Sequence, residues 1–342
     1  MRQWMVTSGA KDESALKLVD NVPVPRPGPG EVLVKIHATS LNYRDHLVLH
    51  GTYYGTLDHD IVPISDAAGV VEAVGAGVTR FKPGDRVASQ YYSNWPSGPF
   101  EGEDKIGPPV GGPHQRGTLA EYALLAETGT MPIPDSMSFQ GAAALPCAGN
   151  TAWNALFNDR PVKAGETVLV MGTGGVSMLA LQLAKGVGAR VIATSSRADK
   201  MERAKALGAD FTINYVENPK WSEQILEFTG GEGCHKIVEV GGDGTLEQSL
   251  ASVAYGGEIA LVGFLAPAER PPSPFTAMYK VARMRGVAIG SADMFAGMTA
   301  LYDKTGMKPA VGAEFAFEDA VAAYLHKGSR DMFGKVVINV AG

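Results

Sequence analysis

The chain has 342 residues, enough for two domains with sizeable cores, and its formal net charge is −6 at pH 7. This acidic balance, without a polybasic segment, argues against a nucleic-acid partner, which would need a basic face. Two cysteines, Cys147 and Cys234, exclude a disulfide framework and a four-cysteine zinc site. There is neither a signal-peptide pattern nor a long uninterrupted apolar stretch, so we expect a cytoplasmic protein with no membrane partner.

Short apolar stretches separated by turns dominate the chain up to about residue 125. Strands are predicted at Val32–Ile36, Val70–Val74 and Arg86–Ala88, the last one directly after the turn Pro83-Gly84-Asp85. Proline and glycine crowd residues 96–117, which predicts a long irregular loop. This part of the chain is therefore predicted to be mostly β.

From about residue 166, short apolar strands alternate with helices. The predicted elements are Thr167–Met171, Gly175–Val187, Arg190–Thr194, Asp199–Leu207, His235–Val240, Thr245–Val253 and Glu258–Val262, followed by a helix at Phe317–His326 and a strand at Lys335–Val340. Alternating strands and helices predict a parallel sheet with both faces covered. The predicted fold class is therefore α/β, with a doubly wound sheet beside the mostly β region.

The turn after the first of these strands carries a glycine-rich motif, Gly172-Thr173-Gly174-Gly175-Val176-Ser177. A helix that begins at such a turn offers unpaired N–H groups to a pyrophosphate, and the glycines allow close approach of the backbone. Ser177 takes the place of the third glycine in the G-x-G-x-x-G pattern, but it is small enough for close helix packing. The motif predicts a dinucleotide site, with residues 172–176 as cofactor contacts.

The end of the second strand of a dinucleotide fold distinguishes NAD from NADP sites. An NAD site carries Asp or Glu there, whereas this chain reads Thr194-Ser195-Ser196-Arg197, with Lys200 one turn later. Hydroxyls and cations would hold a 2′-phosphate by charge-assisted hydrogen bonds. We therefore predict NADP(H), with Ser195, Ser196, Arg197 and Lys200 as contacts, although Arg197 and Lys200 could also be ordinary surface cations.

Several motifs in order resemble the medium-chain dehydrogenase/reductase superfamily. They are Glu72–Val87, Leu145–Leu156, the glycine turn, Arg203–Tyr215 and Gly334–Val340. The resemblance implies a GroES-like catalytic domain at residues 1–123, completed by 293–342, and an NADP(H)-binding Rossmann domain at 124–292. It also implies a homodimer or higher homo-oligomer, formed through the sheet edge near Gly286–Gly290.

The resemblance implies further cofactor contacts outside the glycine turn. Tyr215 would flank the adenine, and the ends of two later strands would approach the nicotinamide half. These additional residues are Tyr215, Gly241, Gly263, Phe264, Leu265 and Lys335.

The positions that match the zinc ligands of the alcohol dehydrogenases carry Asn42, Ser65-Asp66 and Cys147. One thiolate cannot hold a metal that needs three protein ligands, so we expect no metal and interpret Cys147 as a packing residue. Asn42–Asp45 also resembles the N-x-x-D motif of the zinc-free quinone oxidoreductases.

The resemblance to the zinc-free quinone oxidoreductases implies hydride transfer from NADPH to a quinone or an α,β-unsaturated carbonyl compound. Without zinc, hydrogen-bond donors of the protein must stabilise the carbonyl oxygen. The candidate catalytic residues are Asn42, Tyr43, Asp45 and Tyr53, with Tyr54 as a further phenol donor. An alcohol or aldehyde oxidoreductase, or an NADPH-binding protein with little turnover, are the alternatives.

His46, His50 and His59 form a histidine-rich stretch beside Asp45. His46 and His50 would share one face of a helix and could bind a metal. No Glu follows His46, so the H-E-x-x-H pattern is absent. We favour the interpretation that these histidines are polar side chains without a metal.

Overall fold

The computed structural model describes residues 1–266, 273 and 275–341. Its strands are β1 (Gln3–Val6), β2 (Leu16–Val19), β3 (Glu31–Leu41), β4 (Asp66–Val74), β5 (Arg86–Ser89), β6 (Tyr122–Ala126), β7 (Thr130–Pro132), β8 (Thr167–Val170), β9 (Arg190–Ser195), β10 (Phe211–Asn214), β11 (Cys234–Glu239), β12 (Val253–Leu261), β13 (Arg283–Gly286), β14 (Val311–Ala316) and β15 (Lys335–Asn339).

The α-helices within the described residues are α1 (Tyr43–Leu49), α2 (Glu103–Ile106), α3 (Phe139–Ala143), α4 (Asn150–Phe157), α5 (Gly175–Gly186), α6 (Ala198–Ala206), α7 (Trp221–Phe228), α8 (Asp243–Ser252), α9 (Phe275–Lys280), α10 (Ala292–Thr305) and α11 (Ala320–Gly328). The helix predicted at Phe317–His326 is a 3₁₀ turn, Phe317–Asp319, that leads into α11. Such tighter turns are common at helix starts. None of these helices combines the length and apolar character that a membrane crossing demands.

The chain forms two compact units, residues 1–150 with 290–342 and residues 151–289. The domain boundary predicted after residue 123 differs from this division. Residues 124–150 belong to the first unit because β6 pairs with β3 and β7 pairs with β5, while α3 packs on β3 and β4.

The first unit is built on a seven-stranded sheet in the order β14-β15-β3-β4-β5-β7, with β6 paired to β3. β15 lies inside this sheet, parallel to β14 and antiparallel to β3. Its core includes Trp4, Ile36, Leu49, Phe317 and Tyr324. The pairing of β15 with β3 brings residues near 335 next to residues near 41.

The second unit is built on a six-stranded parallel sheet in the order β10-β9-β8-β11-β12-β13. The buried strands consist of residues such as Leu169, Ile192, Ile237 and Ile259, all with no exposed surface. The strand order reverses at β8, and ligands of open α/β sheets bind outside the carboxyl ends of the strands at such a point. The predicted α/β fold class with a doubly wound sheet is confirmed.

Candidate active site and nucleotide site

Asn42 stands immediately before α1 in the first unit, with extended backbone angles. Its N–H donates to Asp45 Oδ2 over 2.7 Å, which is half of the capping box that Asn and an acid three residues later form at helix starts. Asn42 is only 6% exposed. Local sequence thus fixes the backbone of Asn42 at the beginning of the helix.

The amide of Asn42 is oriented by Lys335, the first residue of β15. Lys335 Nζ donates to Asn42 Oδ1 over 2.5 Å and to the carbonyl oxygen of Leu41 over 2.9 Å. An ammonium group can only donate, so the amide oxygen must face it and the NH₂ group must point the other way. Asn42 Nδ2 is buried and has no hydrogen-bond partner within the described residues. A buried donor without an acceptor is costly unless a ligand supplies one.

Lys335 also lies 3.4 Å from Asp66 Oδ2, and both side chains are almost completely buried. Asp66 further accepts hydrogen bonds from Ser65 Oγ over 2.6 Å and from the N–H of Cys147 over 3.1 Å. The positions matched to zinc ligands are therefore gathered around a lysine ammonium. The amine of Lys335 is engaged by Leu41, Asn42 and Asp66, and its predicted contact with the cofactor stays a prediction.

Asp45 is buried beneath the helix start rather than exposed to a ligand. Its carboxylate lies 3.5 Å from the guanidinium of Arg44, which also donates to the carbonyl oxygen of Val110 over 2.6 Å and lies over the ring of Tyr91. Burial raises the pKa of Asp45, and the charge of Arg44 opposes that rise. Asp45, predicted as a catalytic candidate, thus holds Asn42 and links α1 to the segment that follows β5.

The predicted tyrosine donors occupy different surroundings. Tyr43 and Tyr53 are 45% and 44% exposed, and Tyr53 packs edge-on against Tyr54 with ring centroids 4.7 Å apart. Burial raises the pKa of Tyr54. No hydrogen bond links Tyr53 to Asn42 within the described residues, and the catalytic role of Tyr53 stays a prediction.

Lys327 on α11 is a group that sequence reasoning missed. Its Nζ lies 5.8 Å from the centroid of the Tyr43 ring, and the ammonium makes no hydrogen bond or ion pair within the described residues. Burial, followed by the charge of Lys335, lowers the pKa of Lys327 to about 8. No signal in the sequence marked it, because a lysine at the end of a helix is ordinarily a surface residue.

The predicted glycine turn joins β8 to α5 in the second unit. Gly172 has a φ of +66°, which a residue with a side chain rarely adopts, and its N–H donates to Thr194 Oγ1 over 3.2 Å. Ser177 Oγ donates to the carbonyl oxygen of Met171 over 2.5 Å, so this serine ties the helix to the strand end. The first helical bond runs from Met178 to Gly174, which leaves the earlier N–H groups of α5 for a ligand.

At the end of β9, the arginine predicted to bind a phosphate is paired with an acid. Ser195 is buried and its hydroxyl accepts from the N–H of Arg197 over 3.3 Å, whereas Ser196 is exposed. Arg197 donates through two nitrogens to Asp199, each over 2.9 Å. The predicted phosphate cation therefore carries an acid partner two residues away. Tyr215 donates its N–H to the carbonyl oxygen of Ser195 and keeps its ring 42% exposed.

The loop after β11 is organised by Glu239, a fully buried carboxylate that sequence reasoning missed. Its Oε1 accepts from the N–H groups of Gly241 and Gly242 and from Thr245 Oγ1, over 2.8, 3.1 and 2.6 Å. Its Oε2 accepts from Ser249 Oγ. Four donors satisfy this buried acid and fix the loop that contains Gly241.

The end of β12 packs closely on the same loop. A Cβ at Gly263 would lie 2.6 Å from the carbonyl oxygen of Val240, so the strand end requires glycine. The next two residues, Phe264 and Leu265, are 71% and 53% exposed. Exposed apolar side chains at the carboxyl edge of a parallel sheet suit contact with a ligand.

Matches to two family profiles and to known sequences identify the family of this chain. The profile described as alcohol dehydrogenase GroES-like domain matches residues 28–135, and the one described as zinc-binding dehydrogenase matches residues 175–304. A zinc-type alcohol dehydrogenase-like protein of Schizosaccharomyces pombe is 41% identical over 318 residues, 91% of each chain. The chain belongs to the medium-chain dehydrogenase/reductase superfamily. It is an oxidoreductase of that superfamily, as the sequence motifs predicted.

Other similar proteins are named for different activities or cofactors. The quinone oxidoreductase of Rattus norvegicus is 31% identical over 333 residues, 94% of this chain and 93% of its own. A solved structure named as NAD-dependent alcohol dehydrogenase is 36% identical, with a TM-score of 0.89 and full coverage of both chains. A mycobacterial structure complexed with NADPH is 30% identical, with a TM-score of 0.81 over 99% of this chain and 100% of its own.

Proposed function

We propose that this oxidoreductase transfers hydride from NADPH to a quinone or an α,β-unsaturated carbonyl compound, with protein hydrogen-bond donors in place of a catalytic zinc. The observation that carries the proposal is the buried Nδ2 of Asn42, which lacks an acceptor while Lys335 holds Oδ1. Such a group is a preorganised donor for an oxygen that becomes negatively charged in the transition state.

Lys335 supports the metal-free part of this proposal. Its ammonium lies between Asn42 Oδ1 and Asp66 Oδ2, so a positive charge already neutralises the carboxylate at the position matched to a zinc ligand. Burial and the charge of Asp66 raise the pKa of the Cys147 thiol, which disfavours the thiolate that zinc requires. Similarity to the Rattus norvegicus protein named quinone oxidoreductase also supports the proposal.

The residues of the second unit fit the proposed cofactor. The glycine turn and the start of α5 would hold the pyrophosphate, with the ends of β9 and β10 around the adenosine half. Arg197 and Lys200 would take the 2′-phosphate, because a dianion competes well with Asp199 in an exposed ion pair that contributes little. When bound, NADPH supplies the hydride. The mycobacterial NADPH complex supports this choice, and the structure named NAD-dependent alcohol dehydrogenase makes NADH the nucleotide to compare.

Removal of both cations tests the cofactor assignment. In the Arg197→Ala/Lys200→Ala variant we expect the Kd for NADPH to rise roughly a hundredfold, because two charge-assisted hydrogen bonds are lost. The Kd for NADH should hardly change. Fluorescence titration with both nucleotides measures the effect, and Arg203→Ala/Lys205→Ala at the other end of α6 is the matched control. Equal losses for NADH and NADPH would contradict the assignment.

The reduction also requires a proton donor. After hydride addition the acceptor carries one negative charge, on the oxygen that Asn42 stabilises, and one proton completes the reduction. We assign that proton to Lys327, whose ammonium lies beside Tyr43 and has no protein acceptor within the described residues. A lysine with a pKa of about 8 gives up a proton near neutral pH, and its half-buried side chain can regain one from solvent.

The pH profile tests Lys327. Because the group must be protonated to donate, kcat is expected to fall as the pH rises through about 8. In Lys327→Met we expect kcat at pH 7 to drop by about 10²-fold and this alkaline limb to disappear. Lys327→Arg keeps the charge but should move the limb to higher pH, and Lys304→Met on α10 is the control. An unchanged limb in Lys327→Met would refute the role.

The direct test of the proposed function is substrate turnover together with metal analysis. NADPH oxidation is measured on a panel of quinones, enones and aldehydes, before and after treatment with a chelator. The proposal expects turnover of quinones or enones that survives removal of metals. Alcohol or aldehyde oxidation is the second candidate, favoured by similarity to the two proteins named as alcohol dehydrogenases, and it predicts activity that requires stoichiometric zinc. Nucleotide binding without turnover on any substrate would instead support a protein with little catalytic activity.

The predicted assembly and location complete the proposal. β13 is the last strand of the parallel sheet, and its outer edge has no partner strand within the described residues. We propose that a second copy of the chain pairs there in a homodimer, and that the protein works in the cytoplasm.

A further inference from the structure

We propose that Glu13, His46 and His50 form a binding site for a divalent transition-metal ion such as Zn²⁺, distinct from the position matched to the catalytic zinc of the alcohol dehydrogenases. One possible ligand atom from each side chain lies within 4.8 Å of the other two. All three residues belong to the first unit and are half-buried.

The site is built from two short segments of backbone. His46 lies in α1 and His50 directly follows it, so the two rings are one helical turn apart, with centroids separated by 4.1 Å. Glu13 begins the 3₁₀ turn Glu13–Ala15, where Asp12 caps the N-terminus. Glu13 Oε1 lies 3.9 Å from His50 Nε2.

The hydrogen bonding of His50 leaves the correct nitrogen for a metal. His50 Nδ1 lies 2.8 Å from the carbonyl oxygen of His46, and a carbonyl can only accept, so Nδ1 carries the hydrogen. Its Nε2 lone pair is then directed toward Glu13. Metal-bound histidines donate their second ring N–H to a backbone carbonyl or a carboxylate in the same way.

His46 supplies an independent observation. Its Nδ1 is buried and has no hydrogen-bond partner within the described residues. Lys327 also faces His46 and opposes a cation, whereas the Glu13 carboxylate favours one.

The dimensions and ligand types suit zinc. Zinc binds nitrogen and oxygen at about 2.0–2.2 Å, so adjacent ligands of a tetrahedral ion are about 3.4 Å apart. The three ligand atoms now lie within 4.8 Å of one another. Small rotations of these partly exposed side chains would shorten the separations to the distance that zinc requires. Two histidines and one glutamate leave a fourth position for water.

His59, the third histidine of the sequence motif, is not part of the site. Its ring lies 2.6 Å from Asp58 Oδ1 and 3.0 Å from the carbonyl oxygen of Pro113. The third ligand is instead Glu13, which stands far upstream in the sequence. His59 therefore provides a matched control for the histidine substitutions.

The test is zinc binding by the full chain, after removal of metals with a chelator. Calorimetric titration with Zn²⁺ should give one site per chain in the unaltered protein and in His59→Ala. Glu13→Gln and His50→Gln should each weaken binding by more than about tenfold. Zn²⁺ should also raise the Tm of the unaltered protein, but not that of Glu13→Gln. Equal melting temperatures without zinc verify that the variants are folded.

Cys147→Ser separates this site from the position matched to catalytic zinc. The inference expects zinc binding to persist in Cys147→Ser. Absence of zinc binding, or binding that survives both Glu13→Gln and His50→Gln, overturns the inference. Zinc binding that is lost in Cys147→Ser and required for turnover overturns it as well, and that outcome would separately contradict the metal-free proposed function.

Discussion

We expect the Asn42→Asp variant to lose turnover of quinones or enones by about 10²–10³-fold, the effect of losing one oxyanion donor. The new carboxylate keeps an oxygen for Lys335 and almost the same shape, but it has no N–H to donate. It also places a negative charge where the acceptor oxygen becomes negative. The loss should therefore appear in kcat, while the Kd for NADPH stays unchanged.

The measurement combines steady-state kinetics with nucleotide titration and thermal unfolding. Lys335 retains an acceptor, but one cation then faces two buried carboxylates, so we expect the Tm to fall while the variant stays folded at the assay temperature. Asn94→Asp is the control, since the Asn94 amide lies outside this cluster and donates to the carbonyl oxygen of Lys105. Full turnover by Asn42→Asp would refute the role of the Asn42 amide as donor.

We expect Lys335→Met to lower both the stability of the protein and its turnover. Asp66 would then remain as a buried carboxylate without its cation, and we expect the free energy of unfolding to fall by about 3–5 kcal/mol. The amide of Asn42 would also lose the group that sets its orientation. Denaturant unfolding and kcat are both measured.

The double variant Lys335→Met/Asp66→Asn separates stability from positioning. Neutralising Asp66 removes the unpaired charge, so much of the lost stability should return. Turnover should stay low because nothing holds Asn42 Oδ1. Recovery of kcat together with stability would mean that Lys335 acts only as a structural partner of Asp66.

The sheet of the second unit could be predicted because its signals are local. The strand at β8 and the apolar spacing along α5 lie within one stretch of chain, and the glycine turn stands between them. Helix and strand periodicity depend only on neighbouring residues. The α/β class and the superfamily membership followed from these local signals together with the order of the motifs.

The polar cluster around Asn42 could be predicted only in part. Asn42 and Asp66 were identified from matched positions, but the role of Lys335 depends on the pairing of β15 with β3. Nothing in the sequence near Lys335 indicates that its amine reaches Asn42. Lys327 was missed for the same reason, since its surroundings come from the contact of α11 with α1.

In the second unit the sequence identified types of residue but not their partners. Arg197 was interpreted as a phosphate cation, and its pairing with Asp199 depends on how both side chains turn at the start of α6. In the sequence, Glu239 is a single acid within an apolar strand. Its four hydrogen-bond donors come from the loop and helix that follow the strand. Side-chain partners of this kind are set by packing, which spacing alone does not encode.

The interior place of β15 has a consequence for biosynthesis. Residues 335–339 insert between β14 and β3, and the bond from Lys335 to Asn42 spans 293 positions of the chain. During translation this strand leaves the ribosome after β3 to β14 have all been synthesised, and such distant pairings form slowly. A nascent chain that lacks it exposes the edge of β3 and has an unoriented Asn42. Any activity that depends on this amide is therefore tied to synthesis through residue 339, and products terminated before β15 would lack it.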